Sequence, residues 1–433
     1  MKSKLLHPIL KIIVIFLFFL LIPETVTAIP AFARKYKTSC STCHYAFPKL
    51  NSFGKAFKHN GYRYPDYQDP DMTKEEPVSL GAESYKRVFP DAIWPADIAG
   101  TSPITIRALG RIHYGGSWDD PATGTVEDDH ALYFEIPHEF ELLYGGTVGE
   151  NVSYFGEVEL EHEAELAYEF SVQYDFNPGF HLKLGSVGLS ASPENHRLTR
   201  EHYNVDDLKN QSGTWRMRGG AGGGIELWGA GNGAGGTGGF TYAVGIGNGQ
   251  NNEENYDMNA AKDFYGRATY KLGGLGEIGG TAGQASESSA FYEDNSVRLG
   301  GFFYSGDAVK DDTLSDKFSI MGGDVDWWFN RLNVTALAMT MKSDFNGNER
   351  NSLAYFAEAN YVFYPWLIAR ARYESTNKDV DDDGNDPTTT LIPGVIVMIR
   401  ANTKISFEYK LPLDDASKNA KDERMTIQFD FAL

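Results

Sequence analysis

Both cysteines of the chain fall in one short run, Cys40-Ser41-Thr42-Cys43-His44. C-x-x-C-H is the attachment signal of a c-type haem: two thiols add to the porphyrin vinyls as thioethers, and the adjacent imidazole ligates the iron. The spacing serves that chemistry, because both vinyls lie on one edge of the ring and the following His is carried beneath it. Covalent attachment suits a short segment, which has too little core to retain a haem by packing alone. A structural disulfide would not require His as the next residue. A thioredoxin-like dithiol wants a βαβ setting, and no such alternation surrounds residues 40–43. The motif therefore predicts one covalently bound haem c on Cys40, Cys43 and His44, with His44 on the iron.

A second axial ligand is left open by the sequence. His59 and Met72 lie just downstream, and either residue type can complete a cytochrome iron, Met favouring a higher potential. Water, or a histidine from elsewhere such as His113, also fits. Residues 45–63 place Phe47, Leu50, Phe53 and Phe57 at helix-like spacing, a small core that would pack on the porphyrin face. Lys58-His59-Asn60-Gly61 reads as a helix end running into a glycine cap. Tyr64-Pro65 and Asp69-Pro70 then break any helix. Residues 64–102 are expected to be an extended connector anchored by Phe89 and Trp94.

The flanking sequence says where this chemistry would occur. Met1 to Lys11 is basic, Ile12 to Ile22 is apolar, and Val26-Thr27-Ala28 follows as a small-residue cleavage pattern. That is a secretory signal over 1–28, its apolar run being short for a membrane span. The whole chain has a formal net charge of -20. Residues 1–28 hold Lys2, Lys4 and Lys11 against Glu24, which leaves 36 basic and 58 acidic groups, or -22, from Ile29 onward. So acidic a chain repels nucleic acid and attracts cations. A mean hydropathy of -0.37 excludes a bundle of membrane helices.

From about residue 103 the pattern acquires a period of two. Ile104, Ile106, Ala108, Gly110 and Ile112 alternate with Thr105, Arg107, Arg111 and His113. The chain ends in the same manner, with Met425, Ile427, Phe429, Phe431 and Leu433 alternating with Thr426, Gln428, Asp430 and Ala432. This is the strand signature, and 46 glycines beside 24 Tyr and 27 Phe agree with strands and turns. About sixteen or seventeen segments of roughly ten residues match membrane-spanning strands, with tight turns on one side and long polar loops on the other. A soluble sandwich or propeller would also alternate. The second face, however, carries Glu135, Glu139, Glu141, Glu157, Glu159, Glu161, Glu169 and Asp175, which suits a wet lumen with the aromatic face toward lipid. The expected fold is all-β: a transmembrane antiparallel barrel of about sixteen strands over 103–433, with a small helical haem segment over 29–63 acting as its plug.

Two further runs carry less. Gly231 to Gly236 satisfies G-x-G-x-x-G but lies between strands with no ensuing helix, so it reads as a hairpin tip. Asp379 to Gly384 begins like a calcium loop but has Thr390 at position twelve, and reads as an acidic loop with at most a weak cation site. No nucleophile–base triad or zinc signature is present.

The stretch from Ile29 to Arg63 resembles the N-terminus of the fused monohaem cytochrome–porins of the bacterial outer membrane, whose best-known members are iron oxidases. The matching residues are Pro30, Phe32, Ala33, Arg34, Cys40 to His44, Pro48, Leu50, Phe53, Gly54, Phe57 and Gly61-Tyr62. Over the barrel only the architecture is alike. The resemblance implies a haem in or at the pore mouth that passes single electrons between the cell exterior and periplasmic carriers; the donor does not carry over, and extracellular Fe(II), with a periplasmic cytochrome as acceptor, is the leading expectation. Cys40, Cys43 and His44 carry over directly. Electron export to an external acceptor, and a porin with a structural or sensory haem, are the alternatives. Acidic lumen residues would concentrate a divalent cation. Outer-membrane lipid and a periplasmic carrier are the expected partners.

Overall fold

In the outer membrane expected for this chain, no water satisfies the backbone, so strands cross lipid only as a closed ring. A computed structural model contains such a ring. It describes residues 31–432 apart from 67, 77, 79–82, 92–99, 101, 116–117, 120–125, 128–131, 162–165, 189–203, 205–221, 250–259, 281–293, 312–313, 346, 383 and 416–422. The secretory signal and Trp94 lie outside the described residues.

Sixteen strands make the ring: β1 (Ile104–Gly115), β2 (Leu132–Val148), β3 (Val152–Glu161), β4 (Leu166–Asn177), β5 (Phe180–Val187), β6 (Gly222–Asn232), β7 (Thr237–Asn248) and β8 (Lys262–Leu275). It continues with β9 (Ser296–Asp311), β10 (Leu314–Phe329), β11 (Leu332–Phe345), β12 (Asn348–Tyr364), β13 (Leu367–Asn377), β14 (Thr388–Arg400), β15 (Thr403–Pro412) and β16 (Arg424–Ala432). Each strand pairs antiparallel with its sequence neighbours, and β16 closes on β1 from Arg424 opposite Gly115 to Ala432 opposite Arg107. The expected all-β barrel is thus borne out, and its last strand closes against its first.

Alternation decides which side chain meets which medium. On β10 the outward Met321 is 63% exposed, whereas the inward Ile320 and Asp326 are 0% and 2% exposed. Phe134, Tyr168, Phe170, Phe303 and Phe407 are likewise exposed on the outside. Apolar residues outside and charges within are the arrangement of a barrel solvated by lipid. No described helix is long and apolar enough to cross a membrane.

The lumen has two unlike arcs. Glu135, Glu139 and Glu141 on β2 and Asp175 on β4 are buried on the inner face, the acidic side the sequence leads one to expect. Across β8 to β12 the inner face instead carries an apolar cluster that includes Tyr265, Phe302, Ile320, Leu337, Met339 and Phe356. Alternation shows which residues share a face but not which face of a given strand is wet, so this apolar arc was not anticipated.

Connections differ between the rims. On the rim where β1 begins and β16 ends, 149–151, 178–179, 233–236, 330–331, 365–366 and 401–402 are tight turns, and 276–295 is the one long connection. Residues 231–236 therefore end a strand and pass through a three-residue 3-10 turn (Ala234–Gly236) into β7, without an ensuing α-helix. The opposite rim holds the long connections 116–131, 188–221, 249–261, 378–387 and 413–423 beside the short ones 162–165, 312–313 and 346–347.

Ahead of the ring, the described residues include four short α-helices: α1 (Ala31–Tyr36), α2 (Ser52–His59), α3 (Asp69–Met72) and α4 (Glu83–Val88). Two differences from the expected pattern follow from local chemistry. Phe47 and Leu50 belong not to a helix but to a small hairpin, His44–Ala46 with Lys49–Leu50, because Pro48 cannot continue a helix and Asn51 caps α2. Residues 64–102 are not simply extended, since α3 and α4 interrupt them, and Phe89 is 57% exposed rather than anchored deeply.

The outward face can be tested at mid-strand. Met321→Arg is expected to lower barrel stability by about 2–4 kcal/mol, the cost of Arg at the lipid midplane, measured by reversible unfolding into lipid. An unchanged unfolding midpoint would mean that this face does not meet lipid.

Candidate functional site

The two thiols are brought together by one tight turn. Residues Cys40–Thr42 form a 3-10 turn in which the Cys43 amide donates to the Cys40 carbonyl at 3.1 Å and the Ser39 hydroxyl accepts from the Ser41 amide. Three residues per turn place positions i and i+3 on the same side, so Cys40 and Cys43 face one way. Both are free cysteines, half-buried. Burial pushes both thiols up, Cys43 to about 12. A redox dithiol needs a lowered pKa, so the surroundings do not suit that reading.

His44 begins the hairpin that follows. Its Nδ1–H donates to the Pro48 carbonyl at 2.9 Å, since a carbonyl can only accept. Burial holds the imidazole down at about 4, against weaker opposing contributions from the Pro48 and Lys49 backbone. The ring is therefore neutral at neutral pH, with the lone pair on Nε2. A metal-ligating histidine usually has this form: one nitrogen oriented by a backbone carbonyl, the other open.

Asn51 laces the turn to α2. Its side chain accepts from the Gly54 amide at 2.9 Å and donates to the carbonyls of Ser41 and Thr42 at 3.2 and 3.1 Å, while its own amide donates to the Cys43 carbonyl at 2.9 Å. Gly54 is required by close approach: a Cβ there would stand 2.1 Å from the Cys43 carbonyl oxygen. At the other end of α2, Gly61 takes φ +67, and a Cβ on it would meet the Asp175 carboxylate at 2.4 Å. Sequence reasoning gave Asn51 no role; an Asn three residues before a Gly at a helix start was the available signal. An aromatic ladder links the elements, with Phe32 against Phe57 at 5.2 Å, Phe32 against Tyr62 at 5.4 Å and Phe53 against Tyr64 at 5.0 Å.

The assembly sits inside the ring at the rim of tight turns. Tyr45 and Ala46 pack with Trp328, Val362, Ile368 and Ile396. Lys49 donates to Asn333 at 3.1 Å, Lys55 to Asp326 at 3.1 Å, Arg63 to Asp175 at 2.8 Å and Lys404 to the Phe47 carbonyl at 2.6 Å. The Ala31 amide donates to Thr105 at 3.0 Å. Each wall partner lies near its strand's end at that rim, so the segment is a plug with the C-x-x-C-H turn inside it.

The candidate distal residues go to different places. His59 donates from Nδ1 to the Glu277 carbonyl at 2.6 Å, and its ring lies 5.9 Å from that of Trp228. Burial lowers its pKa to about 4. Glu277 follows β8, whereas Lys404, which holds the Phe47 carbonyl, is on β15, seven strands on around the ring; the His44 hairpin also reaches β10 and β11 through Tyr45 and Lys49. Met72 ends α3, whose Asp69 accepts from the Tyr36 hydroxyl at 2.5 Å and the Tyr64 amide at 2.8 Å. Tyr36 lies on α1 and Tyr64 packs on Phe53 of α2 at 5.0 Å, so α3 is tied to both of those helices. His113 lies near the far end of β1 with Nδ1 3.0 Å from Thr426 and Nε2 3.1 Å from Glu135, away from the plug's rim. Asp379, Asp381 and Asp382 are in the connection between β13 and β14, exposed apart from the half-buried Asp379.

No protein-family model matches the chain, and no curated protein does. Solved structures do. The anion-selective porin from Comamonas acidovorans is 11% identical over 77% of this chain and 100% of its own, with a TM-score of 0.49. OmpF of Salmonella typhi, solved as a complex with daunomycin, is 11% identical over 76% of this chain and 97% of its own, with a TM-score of 0.47. The outer-membrane-expressed OmpT of Vibrio cholerae is 12% identical over 76% and 97%, with a TM-score of 0.44.

The close approach at Gly54 makes a local prediction. Gly54→Ala should weaken seating of the motif turn by about 1–3 kcal/mol, a typical overpacking cost. Protease cleavage within 31–74 would then rise while the barrel stays folded; unchanged protection would show that the contact is relaxed without cost.

Proposed function

We propose that the chain is a c-type cytochrome–porin of the outer membrane that moves single electrons across it. In this reading Cys40 and Cys43 would hold one haem as thioethers and His44 would ligate its iron through Nε2. The observation that carries the reading is a C-x-x-C-H turn, with its imidazole tautomer set by Pro48, fixed inside a lipid-facing barrel. A haem bound there supplies a one-electron couple, with potential set by axial ligand, burial and hydrogen bonds.

The arrangement supports a direction across the membrane. In outer-membrane barrels short turns face the periplasm and long loops face outward. By that rule the plug lies at the periplasmic mouth, where His44 and the cysteines are close to a periplasmic cytochrome. Glu135, Glu139 and Glu141 line the lumen beyond it, and an acidic wall raises the local concentration of a cation such as Fe(II). The reaction is then Fe(II) to Fe(III) outside the cell, with the electron leaving to the periplasmic carrier. Reversed flow, to an extracellular acceptor, uses the same residues and needs a strongly negative potential.

Anaerobic addition of Fe(II) to the purified oxidised protein should produce the reduced haem spectrum, and Cys43→Ser should abolish it. A haem that Fe(II) cannot reduce removes the iron donor. The polar lumen arc favours one other reading, a porin with a structural haem. Planar-bilayer conductance separates the two: a seated plug passes little current in the intact chain, and deleting 31–74 opens the pore. High conductance in the intact chain would favour transport.

A further inference from the structure

One barrel lysine reaches into the hairpin that carries His44. Lys404 on β15 is 1% exposed, and its Nζ donates to the Phe47 carbonyl at 2.6 Å. Asp430 Oδ2 on β16 lies 3.3 Å from that ammonium and 3.0 Å from Arg107 Nη2. The Arg107 guanidinium is 5.3 Å over the Phe47 ring, and that ring stands edge-on to the His44 imidazole at 5.8 Å. Lys404 and Arg107, whose charged groups lie 5.9 and 5.3 Å from the Phe47 ring centroid, are thus separated from His44 by that ring, and Asp430 bridges the two cations. Buried charges are screened far less than exposed ones.

The sign of their effect follows from charge alone. Ferric iron carries one more positive charge than ferrous iron, so a fixed cation beside it favours the reduced form and a fixed carboxylate the oxidised form.

We propose that Lys404 is a positioning residue of the haem site: it fixes the His44 hairpin through the Phe47 carbonyl, and its ammonium group raises the midpoint potential of iron held by His44. This rests on the haem reading above. It makes the barrel wall part of the redox centre, not only its container.

The test is a spectroscopic redox titration of the full chain in detergent, comparing wild type with Lys404→Met, Lys404→Arg and Asp430→Asn. Lys404→Met should lower the midpoint, Asp430→Asn should raise it, and Lys404→Arg, which keeps charge and donor, should stay near wild type. A merely structural role would not make the sign of the shift follow the sign of the charge removed. Full haem content with one common midpoint in all four proteins overturns the inference while leaving the haem reading intact. A wild-type chain without haem overturns the reading itself. Should Lys404→Met fail to fold, Asp430→Asn decides, because it keeps the Lys404–Phe47 bond; a midpoint that stays or falls there overturns the inference.

Discussion

The closure of β16 on β1 is the constraint from which the rest follows. A strand in hydrocarbon has no water for its backbone, so every amide and carbonyl must find a neighbouring strand. A ring of sixteen meets that demand and also creates an interior. Alternation then gives that interior a composition opposite to the outside, with Glu139 and Asp326 inward and Met321 and Phe303 outward. Everything specific to this chain occurs inside the space that closure makes.

The plug shows what such an interior can do for a short segment. A few tens of residues have too little core to fold stably alone. Here the wall supplies the missing partners: Trp328 and Ile396 for Tyr45, Asp326 for Lys55, Asp175 for Arg63 and Lys404 for the Phe47 carbonyl. Breaking a buried ion pair leaves an uncompensated charge, which costs more than the pair contributes in net stability. The plug's lysines and arginine therefore fix its register in the lumen as well as its affinity for it. The same contacts set the C-x-x-C-H turn in one orientation, with His44 turned by Pro48 and the cysteines on one side of a turn braced by Asn51.

How much of this the sequence disclosed depended on the range of the interactions. Period-two alternation is local and strong, so the ring, the closing strand and the presence of tight turns are legible from residue order. The C-x-x-C-H spacing is equally local. The spacing of Phe47 to Phe53 and Phe57 fits a helix, and Pro48 and the Asn51 cap override that spacing. The apolar arc of Ile320, Leu337 and Met339 was hidden, because alternation does not reveal what faces each side. Lys404 and Asp430 were hidden more deeply: they lie more than 350 residues from Phe47 in the chain and meet it only after the ring has closed.

The central claim is covalent chemistry at Cys40 and Cys43, and mass analysis of the peptide spanning Lys35 to Lys49 from membrane-extracted protein tests it most directly. The account predicts that peptide carrying the mass of one haem, with neither thiol available to alkylation. The same peptide at its bare sequence mass, both thiols alkylated, from chain that has reached the outer membrane would contradict it.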